Sequence, residues 1–318
     1  MMDQVREDDG RVFDAPSENF VYRLLPRWLW PYAQLARWDR PIGWQLLMWP
    51  CFWSAALAAD VSANAGAFRP GQFIAHLILF FIGSVAMRGA GCTYNDLVDH
   101  KIDGKVARTR SRPLPSGRVT RFQAKLFIAL QALAGLLVLL CFNGFTIGLA
   151  IVSLVVVAIY PFAKRFTDWP QLFLGLAFSW GALVGWAAVF GSLSFAPVLL
   201  YVGAVAWTIG YDTIYAHQDK EDDALIGVRS TARLFAENTK PWLLGLYGLT
   251  LALTALAFAL AGVGAFAWFG LVIAAAMMAY QITVLDIDDG DQCLRLFKFN
   301  FYVGLVVFLG LTIAALVA

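Results

Sequence analysis

Charge is scarce in this 318-residue chain. Asp, Glu, Lys and Arg make up only 14% of it, against about 25% in ordinary soluble chains. Hydrophobic residues make up 60% without counting glycine, where about 45–50% with glycine is usual. Mean hydropathy is +0.66. A soluble globule of this length could not hide so much apolar surface, and a disordered chain would not carry it. Cysteine is scarce too. Cys51, Cys92, Cys141 and Cys293 stand singly with no CxxC spacing, which excludes a disulfide scaffold and reads as buried free thiols. No collagen-like repeat is present. The first apolar run starts too late, and lacks the small-residue cleavage site, for a secretory signal peptide. A net charge of +2 decides nothing by itself, and no nucleic-acid partner is expected. What is left is a polytopic membrane protein.

A bilayer core needs roughly 20 apolar residues per helix. Runs of that kind predict nine spans, at about 42–60, 73–93, 122–142, 144–162, 171–190, 196–216, 240–261, 264–284 and 298–317. Asn143-Gly144 and Gly191-Ser192 read as tight turns between antiparallel helices. Residues 1–18 read as a polar, flexible tail. Residues 19–40 mix Trp28, Trp30, Tyr32 and Trp38 with Arg23, Arg27, Arg37 and Arg40, the chemistry of a segment lying among lipid headgroups. The remainder, 41–318, reads as one all-α domain of nine transmembrane helices around a central cavity.

The few charges are sorted. Of the 24 Lys and Arg, 22 fall on one side of the membrane if nine spans alternate; Arg88 lies inside the second span and only Arg69 falls on the other side. By the positive-inside rule the N-terminus and the long loops are cytoplasmic and the C-terminus is outside. A missed or invented span would scramble this sorting.

The same side carries two acidic clusters, at the ends of the second and sixth spans. Asn95, Asp99 and Asp103 are spaced i, i+4, i+8, so a helix sets them on one face; Arg88 and Cys92 continue it inward, and Asp96 points about 100° away. Asp212, Asp219 and Asp223 are spaced i, i+7, i+11, again one stripe. Ionisable residues at such depth are candidates for function. Ladders of carboxylates repel unless cations lie among them, and hard oxygen ligands without His or Cys pairs point to Mg²⁺ rather than zinc. Such Mg²⁺ completes its shell with water and substrate phosphates. Arg108, Arg110, Arg112 and Arg118 follow the first ladder; Lys220 and Arg229 flank the second. Cations beside carboxylates and an apolar cavity suggest a diphosphate on a lipid tail.

Other features read as structural. Asp286, Asp288, Asp289 and Asp291 share no helical face and read as a solvated loop. Gly175, Gly181 and Gly185 permit close helix packing. His76 reads as a packed histidine, and His100 and His217 lie near the ladders but off the stripes. An ion-paired surface is the plain alternative for the ladders, but two stripes of like charge are costly for solubility alone. Asp103-Gly104-Lys105-Val106-Ala107-Arg108 looks like the core of the CDP-alcohol phosphatidyltransferases. His100 stands where that pattern needs Asp, and Arg121 and Lys125 where it needs two more, so the match is rejected.

The whole pattern resembles the UbiA superfamily of intramembrane aromatic prenyltransferases. The family's NDxxDxxxD motif reads Asn95-Asp96-Leu97-Val98-Asp99-His100-Lys101-Ile102-Asp103 here, and its second Asp-rich motif reads Asp219-Lys220-Glu221-Asp222-Asp223. Four further stretches (37–50, 108–117, 160–171 and 212–232) are similar to the 4-hydroxybenzoate polyprenyltransferases within it. Arg229 stands where Lys is common, which keeps the charge. The resemblance runs from about residue 25 to the end.

It implies transfer of a polyprenyl group from polyprenyl diphosphate to the 3-position of 4-hydroxybenzoate, a step of ubiquinone biosynthesis, in a bacterial inner membrane. Mg²⁺ held by Asn95, Asp99, Asp103, Asp219 and Asp223 would stabilise the departing diphosphate. Arg112 and Lys164 are implied as phosphate contacts, with Arg108 and Lys220 nearby, and Arg165 as the partner of the benzoate carboxylate. Asp212 or a diphosphate oxygen would take the ring proton. The tail would lie in a cavity open to membrane lipid. Two rivals stay open: another acceptor (naphthoate, homogentisate or haem), and a cation-coupled transporter. A transporter would more often show broken helices at mid-membrane and inverted repeats.

Overall fold

The computed structural model describes residues 10–12, 15, 19–104, 109–220 and 227–318, with the side chains of Lys101, Ile102 and Asp219 also outside the description. Among the described residues it is all helical, and nine helical segments are long and apolar enough to cross a membrane. The expected all-α architecture with nine spans is borne out.

Two short helices, α1 (Phe20–Leu24) and α2 (Trp30–Leu35), precede the spans. The spans are built from α3 (Ile42–Asn64), α4 (Pro70–Asp103), α5 (Arg121–Leu139), α6 (Gly144–Phe166), α7 (Pro170–Phe178) with α8 (Gly181–Phe190), α9 (Phe195–Ala216), α10 (Thr231–Phe235) with α11 (Thr239–Ala261), α12 (Ala265–Val284) and α13 (Gly290–Val317). Helix α4 runs unbroken to Asp103, so the first acidic ladder is helical throughout, as its spacing implies. One difference from the sequence expectation matters. Helix α13 starts at Gly290, eight residues earlier than expected, because Asp289 caps it by accepting a hydrogen bond from the Gln292 amide.

The chain divides into two compact units. One comprises Met1–Trp44 and Gly83–Leu137. Its core sets Leu35 with Leu114, Val119 and Ala124, flanked by Tyr32, Leu97 and Phe127. Phe20, Leu24 and Trp28 of its first segment are exposed, as an interfacial segment requires. Residues 10–12, expected to be part of a loose tail, are packed: Val12 is buried, and the Gly10 carbonyl accepts from Gln34 Nε2 and from Arg118. On α5, Phe122, Leu126, Leu130, Leu133 and Leu137 form an exposed stripe at helical spacing, the face a membrane helix turns to lipid.

The second unit comprises Gln45–Ile82 and Val138–Ala318. Asn143 makes its first tight turn, accepting from the Thr146 amide and donating to the Ala187 carbonyl. Small residues bring its helices close, as expected: a Cβ on Gly185 would lie 2.6 Å from the Cys51 carbonyl oxygen. The same holds for Gly270, where a Cβ would lie 2.6 Å from the Val306 carbonyl oxygen. Four helices share a buried polar cluster. Trp207 Nε1 donates to Asn300 Oδ1 at 2.9 Å, Asn300 donates to Gln281 Oε1 at 3.0 Å, and the Tyr247 hydroxyl donates to Gln281 Oε1 at 3.2 Å. With no water in a bilayer core, these groups must satisfy one another. His76 is buried against Phe80 and Phe142, a packed histidine as read.

Candidate active site

In the first unit the C-terminal end of α4 carries the ladder. Asn95 is half-buried, and Asp99 and Asp103 are buried. Asp96, set aside because it points off the stripe, is the most deeply buried of the acidic residues there, at 0% exposure. Arg37 donates to Asp96 Oδ1 at 2.6 Å. Arg112 reaches Asp96 Oδ1 at 3.5 Å and Asp103 Oδ2 at 3.1 Å. Two guanidiniums and two carboxylates therefore form one buried network, in which each charge is matched.

Arg37 adopts a left-handed backbone, φ 59°, which a non-glycine residue holds only when its surroundings compensate. Here its guanidinium also donates to the Gln34 carbonyl at 2.7 Å. The loop after α4 is pinned by Thr109, whose hydroxyl donates to the Asp103 carbonyl at 2.8 Å, and by Arg118, which donates to the Ser111 carbonyl. Arg108 lies outside the described residues.

In the second unit, α9 carries Asp212, half-buried, and ends at Ala216 in a 3₁₀ turn over His217–Asp219. Asp223 lies outside the described residues. His217 Nε2 is 3.0 Å from Thr239 Oγ1. That hydroxyl gives its proton to the Ala236 carbonyl at 2.6 Å, so His217 is the donor and carries hydrogen on Nε2. Burial, and then the charge of Lys220, push His217 down to about 4, so the ring is neutral near pH 7. Lys220, expected beside phosphate, ion-pairs with Asp288 and donates to the Ile287 carbonyl at 3.2 Å.

At the end of α6, Lys164 is half-buried while Arg165 is exposed, its guanidinium 5.3 Å from the centre of the Phe162 ring. The Lys164 carbonyl accepts from the Arg229 amide at 3.3 Å, and Arg229 donates to the Phe166 carbonyl at 3.2 Å. This ties the end of α6 to the segment after the second Asp-rich stretch.

The first ladder fits a hard divalent cation: its donors are oxygens, and two of its three side chains are carboxylates. Among the described residues no three His, Cys, Asp or Glu side chains are close enough together to hold a metal ion. The ladder alone is thus no closed cage, which suits Mg²⁺, an ion that draws on few protein carboxylates and on substrate phosphate.

The residues that sequence reasoning passed over are Asp96, Arg37, Gln218 and Asp288. The signal available for Asp96 and Arg37 was that each lies within one of the quoted stretches. Gln218 likewise lies in the quoted stretch 212–232, whereas Asp288 read as part of a solvated loop.

A model of the UbiA prenyltransferase family matches residues 47–306. The chain belongs to the UbiA prenyltransferase family. It is 45% identical over 314 residues to the mitochondrial 4-hydroxybenzoate polyprenyltransferase of Arabidopsis thaliana, covering 98% of this chain and 74% of that protein. It is 50% identical over 296 residues to the protein of the same name from Drosophila melanogaster, covering 90% of this chain and 71% of that one. Among solved structures, a UbiA homolog from Archaeoglobus fulgidus bound to GPP and Mg²⁺ matches with a TM-score of 0.62 at 17% identity, over 91% of this chain and all of that one. That likeness shows the UbiA fold, an integral membrane architecture.

Proposed function

We propose that this UbiA-family protein is a 4-hydroxybenzoate polyprenyltransferase, moving a polyprenyl group from polyprenyl diphosphate to the 3-position of 4-hydroxybenzoate on the way to ubiquinone. The observation that carries the reading is the identity of 45–50% to proteins of that name across nine-tenths or more of the chain. The two Asp-rich stretches at helix ends supply the chemistry such a transfer needs.

In this reading Asn95, Asp99 and Asp103, with Asp219 and Asp223, would hold Mg²⁺, which would supply charge neutralisation for a departing diphosphate. The Mg²⁺ and GPP bound to the Archaeoglobus homolog support a divalent ion and a prenyl diphosphate here. Arg112 and Lys164 meet the phosphate oxygens that carboxylates cannot approach, with Arg108 beside them. For Arg112 this means exchanging Asp103 for phosphate while Asp96 keeps hold of the guanidinium. Arg165 receives the benzoate carboxylate; its planar donors match a carboxylate's two oxygens. The bond from the allylic carbon to diphosphate breaks, its electron pair leaving with the diphosphate, and the ring carbon ortho to the phenol then attacks the allylic cation. Asp212 or a diphosphate oxygen then takes the ring proton. Apolar, aromatic walls keep water from the allylic cation.

The domain reading is carried forward with this function: an interfacial segment at 19–40 ahead of a nine-helix catalytic domain at 41–318. The distribution of Lys and Arg supports a cytoplasmic N-terminus and an external C-terminus; a bacterial inner membrane belongs to the same proposal. Membranes containing the protein, given Mg²⁺, a polyprenyl diphosphate and a panel of radiolabelled aromatic acceptors, test the reading. A 3-polyprenyl-4-hydroxybenzoate identified by mass is the expected product. Prenylation of naphthoate or homogentisate instead would overturn the acceptor assignment.

A further inference from the structure

The stretch Leu285–Gly290 looks like a solvated acidic loop in sequence, and its structure is something else. Asp286 accepts from the Asp288 amide at 3.0 Å, and the Asp286 amide donates to Gln292 Oε1 at 2.6 Å. Asp289 caps α13. Two of its acidic side chains are thus engaged in making one rigid turn, and Asp288 is left projecting from it. Asp288 pairs with Lys220, whose ammonium also donates to the Ile287 carbonyl. Gln218 Nε2 donates to the Gly290 carbonyl at 3.1 Å, and a Cβ on Gly290 would lie 3.6 Å from the Gln218 Cα. On the other side, His217 donates to Thr239 at the start of α11.

Residues 217, 218 and 220 are therefore each tied to a neighbouring element, and residue 219 stands between them. A metal ligand is effective only if its backbone is held in place before the ion and substrate arrive. We propose that the turn Leu285–Gly290 is a clasp that positions Asp219, with Asp288 and Lys220 as positioning residues and Thr239 completing the hold through His217. The inference rests on the reading of Asp219 as a metal ligand and deepens it. It also removes Lys220 from the phosphate-binding set: its charge is committed to Asp288.

The test is Mn²⁺ binding, followed by electron paramagnetic resonance of free Mn²⁺, on the full chain in detergent. Wild type is compared with Asp288→Asn, Lys220→Met, the double variant, Thr239→Val and Asp288→Glu, each first checked for an unchanged thermal melt. The clasp predicts that Asp288→Asn and Lys220→Met each weaken Mn²⁺ binding by about two- to fivefold, the range for an exposed ion pair. The double variant should be no worse than either, because both remove one interaction. Thr239→Val should weaken binding too, and Asp288→Glu should restore most of it. In the transfer assay the Mg²⁺ requirement should rise in step, with the KM for 4-hydroxybenzoate unchanged. Wild-type Mn²⁺ affinity in Asp288→Asn, with a raised KM for polyprenyl diphosphate in Lys220→Met alone, would overturn the clasp and return Lys220 to the phosphate. Wild type that neither binds Mn²⁺ nor transfers a prenyl group would overturn the metal reading itself, and the clasp with it.

Discussion

Arg112 holds Asp103 at 3.1 Å and Asp96 at 3.5 Å through the same guanidinium nitrogen. One of these carboxylates belongs to the proposed metal ladder and the other does not. Asp96 faces Arg37 as well, at 2.6 Å, and is wholly buried. In the proposed mechanism it is the fixed post of the network, and Asp103 is the partner that Arg112 exchanges for phosphate. Asp96→Asn leaves two guanidiniums facing a neutral amide. Breaking a buried pair of this kind costs on the order of 3–5 kcal/mol. A clear drop in melting temperature in detergent is expected, together with loss of transfer. An unchanged melt would show the pair to be dispensable for the fold.

Asp99→Ala and Asp219→Ala each remove proposed metal-binding oxygens. Each should lower transfer by about 100- to 1,000-fold, the range for losing one preorganised electrostatic partner, with the melt near wild type. Full activity in either variant counts against the metal ladder.

Chelation gives a complementary prediction. Membranes treated with EDTA should lose transfer, and added Mg²⁺ should restore it, because oxygen-only ligands favour hard cations. Activity that survives exhaustive chelation would remove the metal from the reaction.

Arg165 is exposed and lies over the Phe162 ring, 5.3 Å from its centre. Arg165→Ala should raise the KM for 4-hydroxybenzoate by about tenfold or more, as for a lost hydrogen bond to a charged group. The KM for polyprenyl diphosphate should move much less. The opposite pattern in steady-state kinetics would exchange the roles of Lys164 and Arg165.

Asn300 accepts from Trp207 and donates to Gln281 in the buried cluster of the second unit. Interhelical hydrogen bonds in membranes contribute about 0.6–2 kcal/mol. Asn300→Ala breaks these two and a third from Gln281 Nε2 to Asn300 Oδ1 at 3.4 Å, and should lower thermal stability measurably while leaving both KM values intact. A change in KM without a change in melt would point to a role for this cluster in the substrate cavity.

Sequence alone determined the membrane class, the nine spans and the spacing of the first ladder. Hydropathy over twenty residues and the 3.6-residue turn are local properties, readable in any window of the chain. Even the unbroken helix through Asp103 follows from the i, i+4, i+8 pattern of Asn95, Asp99 and Asp103. Arg37 and Asp96 lie 59 positions apart, and Lys220 and Asp288 lie 68 apart. No periodicity connects such pairs, so only the tertiary structure could decide that Asp96 anchors a network, and that Gln218 and Lys220 are held by the turn at 285–290. The physical reason is that a charge chooses its partner by distance in space, and that distance is set by how the helices pack.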